Sequence, residues 1–437
     1  MRPSRIQWPV PVFALMMLMA LGVPAQADHA TYESSRNMHA LGHSPHPAQF
    51  TGVPDIDRET SSDIAFWGNL AIHGNYDGFR IVDISDPEDP RLISHPRCNG
   101  NQGDVIVWEN IVVRSWNSPA SEGRFCDGDP VPVGFEGFHI WDISDVEDPE
   151  VVASVETPLG SHTATGVPDL ENNRLVVYND GAPTGFDMIE VPLDDPASSS
   201  YLGEFATGRN CHDWAVILGD AMRAACSGSG GFSMFSLDPA DGGALDNPVQ
   251  LYSKDLPGLG GHSASFSWDG EVYVHGWEPG GGTRPRCTET GTEVAPGVFQ
   301  TDDMKSVFFF DTETGDPLGK WVLPRPQTLE ENCTIHNYNV VPLRSGKRIL
   351  VSGNYQSGTS VVDFTDPANA VEIGFSDPPP LVPTQTGGAW SSYWYNNFVY
   401  ESEITTGLNV YRLSGKEAAG AMRLGHLNPQ TQEFTIP

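Results

Sequence analysis

Basic residues are scarce in this chain of 437: 24 Lys and Arg stand against 57 Asp and Glu, a formal charge of -33. Such an acidic surface repels nucleic acid and anionic membranes, so neither is expected as a partner. Cysteines are few, six in all, and no CxxC pair occurs, which argues against a thiolate-held metal. After residue 27 no run approaches the roughly 18 apolar residues of a membrane span. Catalytic signatures are missing as well. There is no GxSxG elbow, no HExxH, no GxxxxGKS/T phosphate loop and no EF-hand spacing. Gly280 to Gly282 could suggest a phosphate loop, but no helical pattern follows them, and they read as a tight turn.

What is present begins with a leader. Arg2 and Arg5 precede the apolar run Val10 to Val23, and Ala25-Gln26-Ala27 has the small-x-small form of a cleavage site. Residues 1–27 are therefore read as a signal peptide and the mature protein as secreted or periplasmic. In that setting the six cysteines are expected to pair.

The rest of the chain repeats itself. GFRIVDISDPEDP (78–90) returns as GFHIWDISDVEDP (137–149), and weaker copies start at 186, 232, 307 and 359, with a truncated one at 408. Each copy follows two short apolar strands around a tight turn, as in DIAFW-GN-LAIHG (63–74) and DVIVW-EN-IVVRS (104–115). The copy supplies a third strand, its Asp-Pro end a turn, and a fourth strand follows. Four antiparallel strands repeated seven times predict an all-β fold, a seven-bladed β-propeller over 63–415. The last blade stops after its third strand. A strand near Asn37 to Ser44, within the N-terminal segment 28–62, is expected to complete it. The tail, 416–437, is expected to form a short helix and an extended end packed outside.

These repeats, together with CHDWAV, GHSASFSWDG, EPGGGTRPRC and ENCTIHNYNV, resemble the LVIVD-repeat family of exported bacterial β-propeller proteins over 60–415. The resemblance implies the fold and export. It carries no activity.

Blade topology sorts the motifs onto two faces. The recurrent Asp-rich turns (Asp86, Asp89, Asp145, Asp148) fall on the face of the third-to-fourth strand turns and read as turn chemistry. On the other face, the first residue of each inner strand is in turn Asp63, Asp104, His162, His212, His262, His336 and Ser391. Four consecutive blades thus place histidine at one equivalent position, beside the central channel. Loops on that face add Asp180, Trp277, Glu278, Asn354, Glu401 and Glu403. The cysteines sort there too, and neighbours pair in order: Cys98 with Cys126, Cys211 with Cys226, Cys287 with Cys333.

Two readings of the histidines compete. Each imidazole hydrogen-bonds within its own blade, or His162, His212, His262 and His336 gather at a transition-metal ion with Asp63, Asp104, Asp180, Trp277, Glu278 and Glu403 as binding residues around it. Two function classes follow. One is a binding module for a small molecule, glycan or protein; the other is a metal-dependent, copper-type oxidoreductase.

Overall fold

The structure, a computed structural model, describes residues 28–46, 60–158, 160–180, 185–381 and 386–437. The expected leader lies outside the described residues. Apart from five 3-10 turns of three residues each, the regular elements are strands. No helix among the described residues is long and apolar enough to cross a membrane.

Five sheets each carry a four-stranded antiparallel meander in chain order. They open with the strands Ser61–Trp67, Val105–Trp108, Ala164–Asp169, Asp213–Ile217 and Ala264–Phe266. A sixth, nine-stranded sheet holds the seven strands from Asn337–Val340 to Gly407–Leu413 together with Glu33–Ser34 and Met38–Pro45. Within it Asn337–Val340 runs parallel to Ala389–Tyr395, joined at Asn337–Ser391 and Tyr338–Ser392. The opening strands touch one another in succession, and Ala389–Tyr395 touches Ser61–Trp67, so the propeller-like arrangement closes. Met38–Pro45 pairs antiparallel with Gly407–Leu413. Arg80, fully buried in the first sheet, locks that strand by donating to the Ser44 carbonyl (3.1 Å), the Ser44 hydroxyl (2.6 Å) and the Pro45 carbonyl (2.9 Å).

The repeated motif has a physical reason at each end. At its head, a Cβ on Gly78 would lie 2.0 Å from the Pro96 carbonyl oxygen and one on Gly137 2.1 Å from that of Val155. With φ of +140° and +144°, only glycine lets the outer strand approach this closely. In the middle, the register shifts at Ile81/Val82, Ile140/Trp141, Met188/Ile189 and Met234/Phe235, a bulge that tightens the twist of each sheet. At the end, Asp83 accepts from the Ser85 amide (2.9 Å), Asp142 from Ser144 (2.8 Å) and Asp363 from Thr365 (3.0 Å). The acidic turns hold their own backbone. The apolar strand faces pack between neighbouring sheets, as in the cluster of Ile106, Val113, Phe138, Ile140, Val177 and Ile189. Burying such faces is the main stabilising term.

The three disulfides are Cys98–Cys126, Cys211–Cys226 and Cys287–Cys333, as expected. The tail departs from expectation. Residues after Lys416 form turns instead of a helix, and the segment from Met422 to Ile436 runs beneath the channel from sheet to sheet. Inner strands have unpaired backbone groups facing the channel, and the tail supplies partners for them. Gly68 binds Gly425, Val107 binds the Asn428 side chain, and the Gly166 carbonyl accepts from Thr431. Val216 and Leu218 donate to Gln430 and Gln432, and the Phe266 carbonyl accepts from Gln432. The tail is a strap that closes the channel at the end opposite the histidines.

Candidate functional site

The four aligned histidines do meet, although each lies one or two residues ahead of its inner strand, which begins at Ala164, Asp213, Ala264 or Asn337, and not at the strand's first position as expected. Ring centroids lie 4.8 Å apart for His162 and His212, 3.9 Å for His212 and His262, and 4.6 Å for His262 and His336. The four form an arc around the channel mouth. Glu278, from the loop after Val272–Gly276, lies inside it, with Oε2 3.7 Å from His262 Nε2 and Oε1 3.6 Å from His336 Nε2.

Hydrogen bonds fix the orientation of three of these rings. The Ser263 hydroxyl donates to the His336 carbonyl oxygen at 2.5 Å, so at 2.7 Å from His262 Nδ1 it must accept. His336 Nδ1 donates to the Trp390 carbonyl. His212 Nδ1 lies 3.2 Å from Asp213 Oδ1. His162 differs: its Nε2 faces the Gln102 side-chain amide at 3.5 Å. Burial pushes His162 and His336 down to about 3 and His262 well below its ordinary value, so these three are neutral. At His212 burial acts the same way, but Asp213, with Asp180 and Glu278 behind it, overrides it and raises the group to about 9. Burial also raises Glu278, against the hydrogen bond from the Tyr355 hydroxyl at 2.6 Å.

Beneath the arc is a chamber of about 20 Å³, lined by Asp63, Asp104, Asp213, Thr163 and Gln430 among others. Asp63 accepts from the Tyr393 hydroxyl (2.6 Å) and Gln430 (3.0 Å), and burial lifts it to about 6. Asp104 accepts from the amides of Val105 (2.9 Å) and Ala164 (2.8 Å), and burial raises it well above the carboxylate range. Above the arc opens a cleft of about 430 Å³. Its walls include His162, His262, His336, Glu278, Tyr76, Tyr355, Trp390 and Ile404, with Gln102, Thr60, Thr283 and Thr386.

The other residues expected at the site lie elsewhere. Glu403 caps its own turn, accepting from the amides of Gly388 (2.8 Å) and Thr405 (2.9 Å). Glu401 is buried between Thr359, Asn409 and Tyr411, and Asn354 donates to Ser360. Trp277 packs over Gly260 at the edge of an apolar cluster. Asp180 is the exception: it is buried beside the arc, its backbone paired with His162 and Thr163 and its charge helping to raise His212. Cys98, Cys126 and His139 lie close together, but both sulfurs are spent in the disulfide.

Several site residues escaped the sequence reading. Asp213 and Ser263 directly follow aligned histidines, a signal in CHDW and GHSA that was legible. Tyr76, Tyr355 and Trp390 had none, because aromatic residues are common throughout the strands. The glycine run proves to be a site element: a Cβ on Gly282, at φ +63°, would lie 2.2 Å from the Tyr355 hydroxyl and 2.8 Å from Glu278 Oε1. Glycine there lets that pair meet.

No family model matches the chain, and no match was found among curated proteins. Among solved structures the chain is similar to the crystal structure of the N-terminal domain of Nup159, with a TM-score of 0.50 over 88% of this chain and 97% of that one. The shared fold is a β-propeller. At 12% identity the likeness speaks for the propeller alone and carries no function across.

Proposed function

We propose that the chain is an exported, seven-bladed propeller of the LVIVD-repeat type that binds a small, ring-bearing, non-anionic ligand in the cleft above the histidines. The blade count takes the nine-stranded sheet as two blades, the second completed by Met38–Pro45. Export is supported by the three disulfides, which suit an oxidising compartment.

The cleft carries the reading. Tyr76 and Tyr355 stand nearly perpendicular to Trp390, with ring centroids 6.5 and 6.3 Å away. They give a flat ring apolar faces to pack on, while Gln102, Thr60, Thr283 and Thr386 offer polar contacts at the rim. Neither lysine nor arginine is among the lining residues, and the chain is strongly acidic, so an anionic ligand is disfavoured.

Titration of metal-free protein with phenol, methyl β-glucoside and benzoate, followed by ligand-observed NMR, tests this. Saturable binding of phenol or the glucoside is expected, lost in Trp390→Ala, with no binding of benzoate. Binding of neither neutral probe, or unchanged binding in Trp390→Ala, would overturn it. The other function class, a metal-dependent oxidoreductase, is favoured in its metal half by the imidazole orientations.

A further inference from the structure

Four atoms able to donate a lone pair face one another at the channel mouth, the nitrogens 3.7 and 3.6 Å from the oxygens, too far for hydrogen bonds between them. His262 Nδ1 must donate to Ser263, and His336 Nδ1 to the Trp390 carbonyl, so the Nε2 atoms of both rings present lone pairs. Those lone pairs point at the two oxygens of Glu278, 3.7 and 3.6 Å away. Both imidazoles are buried, at 6% and 2% exposure. Buried donor atoms gathered without hydrogen bonds to one another form the kind of arrangement that a metal cation holds together. The separations also suit one: ligands about 2.0–2.2 Å from a tetrahedral ion stand roughly 3.3–3.6 Å from each other.

We infer that His262, His336 and Glu278 form a site for a divalent transition-metal ion, with an open coordination position toward the cleft. Nitrogen donors exclude the hard ions calcium and magnesium as preferred occupants. All six cysteines are in disulfides, so the ion is of the borderline class that takes imidazole and carboxylate together. Each histidine is anchored through Nδ1, the arrangement that fixes tautomer and ring direction in metal sites. Ser263 does this for His262 and also donates to the His336 main chain, so one hydroxyl positions both halves of the site. Tyr355 does the same for Glu278. His162 is outside the set because Gln102 faces its Nε2, and His212 because its close donor group is Asp213 with His262, not Glu278 with His336. Two imidazoles, one carboxylate and an open position are the donor set of a metal that can receive a further ligand or a water.

The test is zinc binding by the full mature chain after chelator treatment, measured by calorimetry against a magnesium control. The visible spectrum after cobalt substitution reports the coordination. One equivalent of zinc is expected, with affinity reduced at least about 100-fold in His262→Ala, His336→Ala and Glu278→Gln, and about 10-fold in Ser263→Ala, which keeps all three ligands. Thermal melts check that each variant folds; Glu278→Gln and Ser263→Ala, nearly isosteric, decide the matter if a histidine variant fails to fold. Wild-type binding no tighter than that of Glu278→Gln would overturn the inference, as would cobalt showing only its six-coordinate aqueous spectrum. The ligand proposal is judged separately, since its phenol and glucoside titrations use metal-free protein.

Discussion

The strap predicts a large effect from a residue far from the histidines. Asn428 accepts from the Val107 amide at 2.9 Å and donates to the Val107 carbonyl at 2.9 Å. Val107 is fully buried, and on this side its strand has no neighbour of its own sheet. The asparagine side chain therefore acts as a one-residue strand. Asn428→Ala leaves a buried donor and a buried acceptor without partners, at about 1–3 kcal/mol each, or about 2–6 kcal/mol together. An unfolding entropy of about 2.1 cal/mol/K per residue gives about 0.8 kcal/mol per kelvin for a body of about 400 residues. The melting temperature should then fall by about 2.5 to 7 °C, with a matching drop in the urea midpoint at unchanged slope. Arg423→Ala, at an exposed position on the same strap, should stay within about 0.5 kcal/mol of wild type. If the two variants melt together, the strap does not satisfy the inner strands and its position beneath the channel is incidental.

Three further outcomes follow from the same geometry. Replacing Cys211 and Cys226 by serine should cost about 3 kcal/mol, the loop-closure value for a crosslink of 15 residues, read as a lower urea midpoint. Burial pushes Glu401 up to about 7, against donors from Thr359, Asn409 and Tyr411. Its folded pKa is raised, so its stabilising contribution is whole below the unfolded value of 4.5 and is lost as pH rises toward 7, by about 3 kcal/mol. Glu401→Gln should flatten the pH dependence of urea stability across that window, and an unchanged slope would refute the assignment. Gly282→Ala, with φ +63° and its Cβ against the Tyr355 hydroxyl, should cost about 1–3 kcal/mol in thermal stability and weaken phenol binding in the cleft.

The repeat made the blade pattern legible because a strand and its turn need the same residues each time: glycine where the outer strand crosses, β-branched and aromatic residues between, and Asp to hold the turn. The same reasoning reached the disulfides, since topology places the cysteines on one face. It also reached the four histidines, which share a position related by the ring's rotation. It failed where a residue acts through its side chain as a substitute for backbone. Asn428, Gln430, Thr431 and Gln432 show neither helical nor strand periodicity, so the tail read as something packed outside. Glu403 and Trp277 misled for the opposite reason. They lie in loops on the correct face, but Glu403 turns its carboxylate onto its own turn and the partly buried Trp277 packs beside Gly260 against an apolar cluster.

The strap also sets the environment of the site. With one end of the channel laced shut, the space under the histidines is a chamber of about 20 Å³, room for about one water molecule. Whatever the site takes must therefore arrive through the cleft above, past Trp390, Tyr76 and Tyr355. An ion held by His262, His336 and Glu278 would have solvent only on its cleft side. On its other side it would meet Asp63, which burial lifts to about 6, and Asp104, which burial and the neighbouring Asp63 raise well above the carboxylate range. A cation entering above would favour ionisation of those carboxylates, because an opposite charge stabilises the charged form in a poorly solvated space. Metal uptake should then release protons from residues that are not ligands. Running the zinc calorimetry in buffers of different ionisation enthalpy counts them. Asp104→Asn, which leaves His262, His336 and Glu278 in place, should lower that count while one equivalent of zinc still binds. An unchanged count would show that the chamber and the mouth do not communicate.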